Sequence, residues 1–148
     1  MNLTPLQQSD YALRQFGREI HKVADIMKWT ANRHMKCLSV RQPWASMIAR
    51  GEKTIETRTW PTEYRGDLII VSSLRPRIDD LPAGQALCIA RVVDCRPMTR
   101  ADELAARCEL YAGAFAWVLD NIRPVEPVAV TGKLGLYIPP DGLKIKFI

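Results

Sequence analysis

A lysine, a glutamate and an arginine follow one another closely in the segment KTIETRTW, as Lys53, Glu56 and Arg58. Because alternate side chains of a strand point to opposite faces, Glu56 and Arg58 are predicted to share one face, where the carboxylate can hold the guanidinium in one orientation. A lysine nearby in a partly closed cleft would have its pKa lowered by desolvation and by Arg58, which suits a base or a nucleophile. An ordinary strand salt bridge beside a solvated lysine is the alternative interpretation.

The turn before this segment, Arg41-Gln42-Pro43, offers groups that can read a nucleic acid. Arg41 can place its planar guanidinium on a phosphate or on a guanine edge, and Gln42 can pair with the amide edge of a base. Helix capping and hydrogen bonding within the loop are the alternative role for both side chains. Trp44, which follows Pro43, is predicted to lie in the core.

Aromatic and hydroxyl groups follow the segment. Trp60 lies at a strand end and is a candidate surface on which a base can stack. Tyr64 and Arg65 precede a glycine in a turn that lets the backbone approach a ligand closely, and a tyrosine beside an arginine suits a base and a phosphate. Ser72 ends the next strand and is predicted to face the same cleft, although no histidine is placed to activate it as a nucleophile.

Short helices and strands must carry these groups. Pro43 permits a helix to begin and Gly51 ends it, with an apolar stripe between them. Thr99 is the predicted N-cap of a second helix at 104–110, and Asp102 occupies the capping-box position. Strands are predicted from apolar and β-branched runs at 67–73, 86–95, 115–119, 125–130 and 132–138.

These elements define the fold class. Pro124 and Pro127 separate and limit the two strands between 115 and 130, since proline cannot donate to a ladder. Strands outnumber helices and no segment repeats at a fixed period. We therefore predict an α+β, mainly β chain that forms a closed or nearly closed mixed barrel with a few covering helices.

The 148 residues favour one main domain, and the formal charge of +5 is unevenly placed. Residues 1–34 carry 5 basic and 3 acidic groups, residues 35–77 carry 8 and 4, and residues 78–148 carry 8 and 9. The excess of positive charge therefore lies in the first two blocks. Arginine and lysine interleaved with aromatic residues suit an anionic partner whose bases can stack, and a solvated basic face is the alternative.

Other functional classes find less support in the sequence. Cys37, Cys88, Cys95 and Cys108 form no C-x-x-C pair and are not spaced for a metal with either histidine, so no cofactor is expected and no divalent metal site is visible. No apolar run is long enough to span a bilayer, and no signal-peptide core begins the chain. We expect a cytoplasmic protein without a membrane partner.

Residues 1–34 precede the predicted barrel and show a helical apolar stripe of leucine, phenylalanine, isoleucine, valine and methionine. An amphipathic helix that docks on the barrel, or forms a homodimer with a second copy, is the favoured interpretation. An additional basic surface for nucleic acid is the alternative.

The segment LSVRQPWASMIARGEKTIETRTWPTEYRG resembles the signature of the activating signal cointegrator homology (ASCH) domain, which runs strand, R/H-Q-P-W, helix, G-x-K-x-x-E-x-R and a Tyr-Arg-Gly turn. Gly51, Lys53, Glu56 and Arg58 match the third of these motifs. GAFAWVLDNIRPVEPVAVTGKLGLY resembles the closing strands of that family. The resemblance implies a β-barrel related to the pseudouridine synthase and archaeosine transglycosylase (PUA) fold over residues 35–140, followed by a short tail at 141–148, and a partner that is RNA or another nucleic acid.

Our first hypothesis is a module that binds single-stranded RNA, or one nucleotide of it, in a basic cleft. Arg41, Lys53, Arg58 and Arg65 would meet phosphates or base edges, with Gln42 and Ser72 alongside. Trp60 and Tyr64 would be the stacking surfaces.

The second hypothesis is a hydrolase. As a ribonuclease, the chain would use Lys53, Glu56 and Tyr64 at the scissile phosphate. The resemblance also implies an amidohydrolase acting on an N4-acylated cytidine, but Glu56 occupies the position of the threonine that such relatives use, and Glu109 is a poorly aligned match for their glutamate. A third hypothesis is a non-catalytic interaction scaffold.

Overall fold

The computed structural model describes residues 35–148, so the helix and the homodimer contact predicted for residues 1–34 lie outside the described residues. The described chain contains six strands, two short α-helices and a 3₁₀ turn at Arg100–Asp102. In chain order these elements are β1 (Lys36–Val40), α1 (Trp44–Ala49), β2 (Ile55–Arg58), β3 (Gly66–Ser72), β4 (Gln85–Pro97), α2 (Glu103–Ala106), β5 (Phe115–Ala129) and β6 (Leu136–Tyr137).

Within residues 35–148 the six strands form one sheet in the order β2-β5-β4-β3-β1-β6. β1 and β3 are parallel, with Leu38 opposite Ile70, and the other neighbouring pairs are antiparallel. The sheet curls into a half-barrel. The predicted fold class, a mainly β mixed barrel with a few helices, is therefore confirmed.

Apolar side chains are buried on both faces of the sheet. Leu68 and Ile70 of β3 join the cluster that contains Trp117, whereas Ile69 and Val71 join the cluster beneath Tyr137. This alternation follows from the period of two along a strand. A strand buried on both faces is a continuous apolar run, which explains the sequence LIIV at this position.

Several element boundaries differ from the prediction, and the strand predicted at 132–138 is reduced to Leu136–Tyr137. β5 continues from Phe115 to Ala129 through Pro124 and Pro127, where two strands were predicted. β2 pairs with β5 only as far as Val118, so both prolines lie beyond that ladder and can be tolerated. The second helix ends at Ala106 because Arg107 adopts a left-handed conformation with φ of 56°.

Among residues 35–148 we find no helix whose length and apolar character would allow it to cross a membrane.

Candidate functional site

A cleft of about 650 Å³ opens between the two ends of the sheet. β1 contributes Ser39 and β2 contributes Thr57 and Arg58, and these strands are not neighbours in the sheet. The Arg58 Nη2 group donates a hydrogen bond of 2.7 Å to the Ser39 carbonyl oxygen and so bridges them. The described residues that line the cleft are Ser39, Val40, Arg41, Trp44, Lys53, Glu56, Thr57, Arg58, Ser73, Arg75, Cys108, Tyr111, Lys133, Leu134 and Gly135.

An ionic group that we call the inner triad, Lys53, Glu56 and Arg58, lies on one side of the cleft. The Lys53 Nζ atom is 3.7 Å from Glu56 Oε1, and Arg58 Nη2 is 3.4 Å from Glu56 Oε2. Glu56 Oε1 also accepts a 2.8 Å hydrogen bond from the Thr57 backbone N–H. The carboxylate thus orients the guanidinium, as the spacing of Glu56 and Arg58 indicated.

Lys53 precedes β2, so it is not part of the strand alternation that places Glu56 and Arg58. Its side chain turns inwards and the residue is only 1% exposed. The Lys53 Nζ group donates a hydrogen bond to the Ala106 carbonyl oxygen at the end of α2. Burial lowers the pKa of Lys53, and the nearby Glu56 carboxylate opposes that effect.

Three further cations, which we call the rim cations, are Arg41, Arg75 and Lys133. All three are exposed, and their side chains make no ion pair or hydrogen bond with any residue between 35 and 148. Together with Lys53 and Arg58, they place five cationic side chains on the described cleft wall against the single carboxylate of Glu56. The cleft is therefore electropositive and suited to an anion.

Two aromatic rings, Trp44 and Tyr111, also line the cleft. Trp44 is 37% exposed, so the prediction that it lies in the core is wrong. Trp44 is the first residue of α1, whose buried residues are Ala45, Ser46 and Ile48. Tyr111 is 39% exposed and lies between α2 and β5, in a segment that carried no sequence signal.

Gln42 and Ser72 are buried and do not line the cleft. The Gln42 side-chain amide donates to Ser46 Oγ at 2.8 Å and to the Pro82 carbonyl oxygen at 2.9 Å, and its oxygen accepts from the Ser46 backbone N–H at 3.0 Å. Ser72 Oγ donates to the Gln85 carbonyl oxygen and accepts from the Gln85 N–H, both at 3.2 Å. These polar atoms hold the start of α1 and join β3 to β4.

Trp60, Tyr64 and Arg65 also lie outside the set that lines the cleft. The ring of Trp60 packs edge-on against Trp117, with centroids 4.8 Å apart. The Tyr64 hydroxyl donates to the Asp67 carbonyl oxygen, and burial raises the pKa of Tyr64. Arg65 is exposed and donates to the Tyr64 carbonyl oxygen at 3.0 Å.

The structure thus brings together four of the residues chosen from the sequence: Arg41, Lys53, Glu56 and Arg58. Sequence reasoning did not select Arg75, Cys108 or Tyr111, because each lies in an irregular segment whose neighbours in space are far away in the chain. Lys133, in the segment before β6, also lines the cleft. Within residues 35–148, no three histidine, cysteine, aspartate or glutamate side chains are grouped so that they could hold a metal ion.

Comparisons with known proteins point to one family. The model of the ASCH domain matches residues 38–129. Activating signal cointegrator 1 of Homo sapiens is 51% identical over 39 residues, which are 26% of this chain and 7% of that protein. The Mus musculus protein of the same name is 45% identical over 51 residues, which are 34% of this chain and 9% of that protein. The chain therefore matches less than a tenth of either relative.

Solved structures show the same fold. The crystal structure of ASCH from Zymomonas mobilis superposes with a TM-score of 0.57 at 16% identity, covering 74% of this chain and 90% of that chain. A mutant form of that protein gives a TM-score of 0.55 at 16% identity, covering 74% of this chain and 92% of that one. At this identity the likeness concerns the fold alone.

Proposed function

The chain belongs to the ASCH domain family, which is associated with RNA binding, and we propose that its cleft binds single-stranded RNA or one nucleotide of it. The observation that carries this proposal is the set of rim cations, Arg41, Arg75 and Lys133, which are exposed on one wall without a partner among residues 35–148. Cations that the protein does not neutralise itself can neutralise the phosphates of a ligand.

Some basic groups elsewhere on the described surface are paired with carboxylates. Arg91 pairs with Asp120 at 3.0 Å, and Arg96 pairs with Asp102 at 2.7 Å. These pairs weaken the attraction of those faces for an anion. The cleft is thus the place where basic groups converge without equal numbers of carboxylates.

A single strand fits the cleft better than a duplex does. A volume of about 650 Å³ accommodates a nucleotide, whereas a helical duplex would have to rest on the rim. Sequence-specific RNA recognition commonly uses unstacked bases that contact aromatic or arginine side chains. Trp44, Tyr111 and Arg58 offer such contacts in the same cleft.

The hydrolase hypotheses receive less support from the geometry. Tyr64, chosen as a catalytic hydroxyl, is hydrogen-bonded to the Asp67 carbonyl oxygen and does not line the cleft. Glu109, the candidate for the amidohydrolase glutamate, is exposed and also outside the lining residues. Lys53 remains in the cleft, but its ammonium already contacts Ala106 and Glu56.

The salt dependence of RNA binding tests the proposal. Fluorescence anisotropy of a labelled single-stranded RNA, titrated at several salt concentrations, should show affinity that falls steeply as salt rises, and the RNA should remain intact. The double variant Arg75→Ala/Lys133→Ala should bind several-fold more weakly and show a shallower salt slope. Arg77→Ala/Lys144→Ala removes the same charge from exposed residues outside the cleft and should behave like the unmodified protein.

Two results would contradict the proposal. Affinity that does not depend on salt would mean that the cleft does not bind the RNA through its phosphates. Equal losses in the two double variants would mean that RNA responds to net charge and not to the cleft.

A further inference from the structure

We propose that Trp44 and Tyr111 form a stacking subsite for an unpaired base in this cleft, an inference that rests on the proposed function and assigns its base-binding residues. Both rings line the cleft and both are more than a third exposed. Stacking on aromatic rings accepts any base, because every base has a π-face. The phosphate of the same nucleotide would lie towards the rim cations.

Trp44 is held in place by its one polar group. The indole Nε1–H donates to the Arg107 carbonyl oxygen at 3.4 Å, so the ring is tied to the segment that follows α2. Ala45 and Ile48, on the same helix, are fully buried in the core, and the backbone beneath the ring is therefore fixed. The indole N–H already has a partner, which leaves the apolar ring for a ligand.

Tyr111 is held through its backbone and through its neighbours in the chain. The Leu110 N–H donates to Glu103 Oε2 at 2.7 Å, and the Ala114 N–H donates to the Tyr111 carbonyl oxygen at 3.2 Å. The carbonyl oxygen of Ala114 in turn accepts from the Met98 N–H at 2.9 Å. The turn that carries the Tyr111 ring is therefore anchored on both sides.

One set of hydrogen bonds connects the segment that carries Trp44 with the end of α2. Successive carbonyl oxygens at the end of α2 accept from different parts of the cleft wall: Ala105 from the Thr54 N–H at 3.0 Å, Ala106 from Lys53 Nζ, and Arg107 from the Trp44 indole. Arg107 Nε also donates to the Glu52 carbonyl oxygen at 2.8 Å. Donors from the segment 44–54 thus hold residues 105–107, from which the chain continues to Tyr111.

This arrangement assigns a positioning role to Lys53. Its ammonium caps the last carbonyl group of α2 and thereby holds the wall that carries Tyr111. A wall whose backbone is already fixed favours stacking because less conformational freedom is lost when a base binds.

An oligonucleotide without bases separates this inference from the proposed function. The probes are a short oligouridylate and an abasic oligomer of the same length and charge. The unmodified protein should bind the oligouridylate at least about fivefold more tightly, which corresponds to the lower range for one stacked base. Trp44→Ala and Tyr111→Ala should each reduce this preference while keeping the affinity for the abasic oligomer.

Conservative variants keep the test valid if an alanine variant fails to fold. Trp44→Phe and Tyr111→Phe retain a ring and should retain the preference for bases. Oligouridylate should also quench the tryptophan fluorescence of the unmodified protein, and Trp44→Phe should remove that part of the quenching. The helical and strand content from circular dichroism checks each fold.

The outcomes are distinct. If both oligomers bind equally well, or if the preference survives in Tyr111→Ala, the stacking subsite is wrong and the proposed function stands. If neither oligomer binds, the proposed function fails and this inference fails with it.

Discussion

The ammonium group of Lys53 contacts the protein on two sides, through the Ala106 carbonyl oxygen and the Glu56 carboxylate. Its type and spacing suggested a base or a nucleophile, and burial does lower its pKa. The partners of a buried residue depend on chain segments that are distant in sequence, in this case the end of α2. This is why the position of Lys53 could be predicted and its contacts could not.

Replacing Lys53 with methionine should lower the free energy of unfolding by roughly 1–3 kcal/mol, because the Ala106 carbonyl oxygen loses its buried donor. The loss should grow with pH. Between the lowered pKa of folded Lys53 and its ordinary value of 10.5, the unfolded chain holds a proton that the folded protein does not, so Lys53 adds stability as pH rises. Denaturant unfolding of both proteins from neutral to alkaline pH measures the difference; a difference that shrinks with pH would contradict the account.

Arg41 and Gln42 are adjacent in sequence and were both predicted to contact nucleic acid, yet the structure separates them. Arg41 is exposed on the rim, whereas Gln42 is 2% exposed and fully used in hydrogen bonds around α1. A glutamine before a proline fits base recognition and helix capping equally well in sequence. Only the position of Pro82, which accepts from the Gln42 amide, distinguishes the two.

This pair of neighbours gives a matched test. Gln42→Ala should lower the free energy of unfolding by roughly 1–3 kcal/mol, since it leaves buried polar groups without partners, and the folded fraction should bind RNA normally. Arg41→Ala should change stability by less than about 0.5 kcal/mol and weaken RNA binding several-fold. Chemical unfolding and anisotropy measure the two effects. A Gln42→Ala protein that is stable but binds RNA poorly would restore its predicted role as a base contact.

At the level of elements, the sequence predicted which segments form strands better than it predicted where they end. The capping box was confirmed, since the Asp102 carboxylate accepts from the Thr99 backbone N–H at 2.9 Å. It begins a 3₁₀ turn that continues as α2, and that helix stops early at the left-handed Arg107. At this point Trp44 and Lys53 donate to the carbonyl oxygens of Arg107 and Ala106, contacts that no local pattern reveals.

Asp102 should therefore stabilise the turn before α2. Arg96 and the Thr99 N–H hold the pKa of Asp102 far below its usual range, although Arg96 itself is partly exposed and the pair is screened by solvent. Asp102→Ala should cost about 1 kcal/mol of unfolding free energy near neutral pH, as the loss of a helix cap does. The unmodified protein should lose this contribution as the pH falls below about 4, where the unfolded chain takes up the proton first.

Unfolding curves of Asp102→Ala and the unmodified protein at neutral and acid pH check this expectation. Asp120→Asn is the control, because Asp120 pairs with Arg91 on the exposed surface and should contribute little. If Asp102→Ala and Asp120→Asn lower the free energy of unfolding equally, the capping box does not stabilise the protein more than an exposed ion pair does.

At the level of the whole molecule, the described sheet curls but does not close, and the opening lies between strands that no local pairing joins. The barrel was predicted from the resemblance of sequence motifs. Its strands were predicted from buried apolar runs and turn residues, which are local signals. The cleft wall formed by Trp44 and Tyr111 was not predicted. It depends on the packing of segment 105–111 against segment 44–54, two parts of the chain that are far apart in sequence and are joined by hydrogen bonds in the folded protein.

Photocrosslinking tests whether RNA lies in the cleft. A single-stranded RNA containing 4-thiouridine would be irradiated with the protein, digested, and its crosslinked peptides identified by mass spectrometry. We predict crosslinks in peptides that contain Trp44, Tyr111 or Lys133, and their loss in excess unlabelled RNA. Crosslinks confined to the opposite part of the described surface, around Asp120 or the tail after Pro140, would contradict the cleft as the binding site.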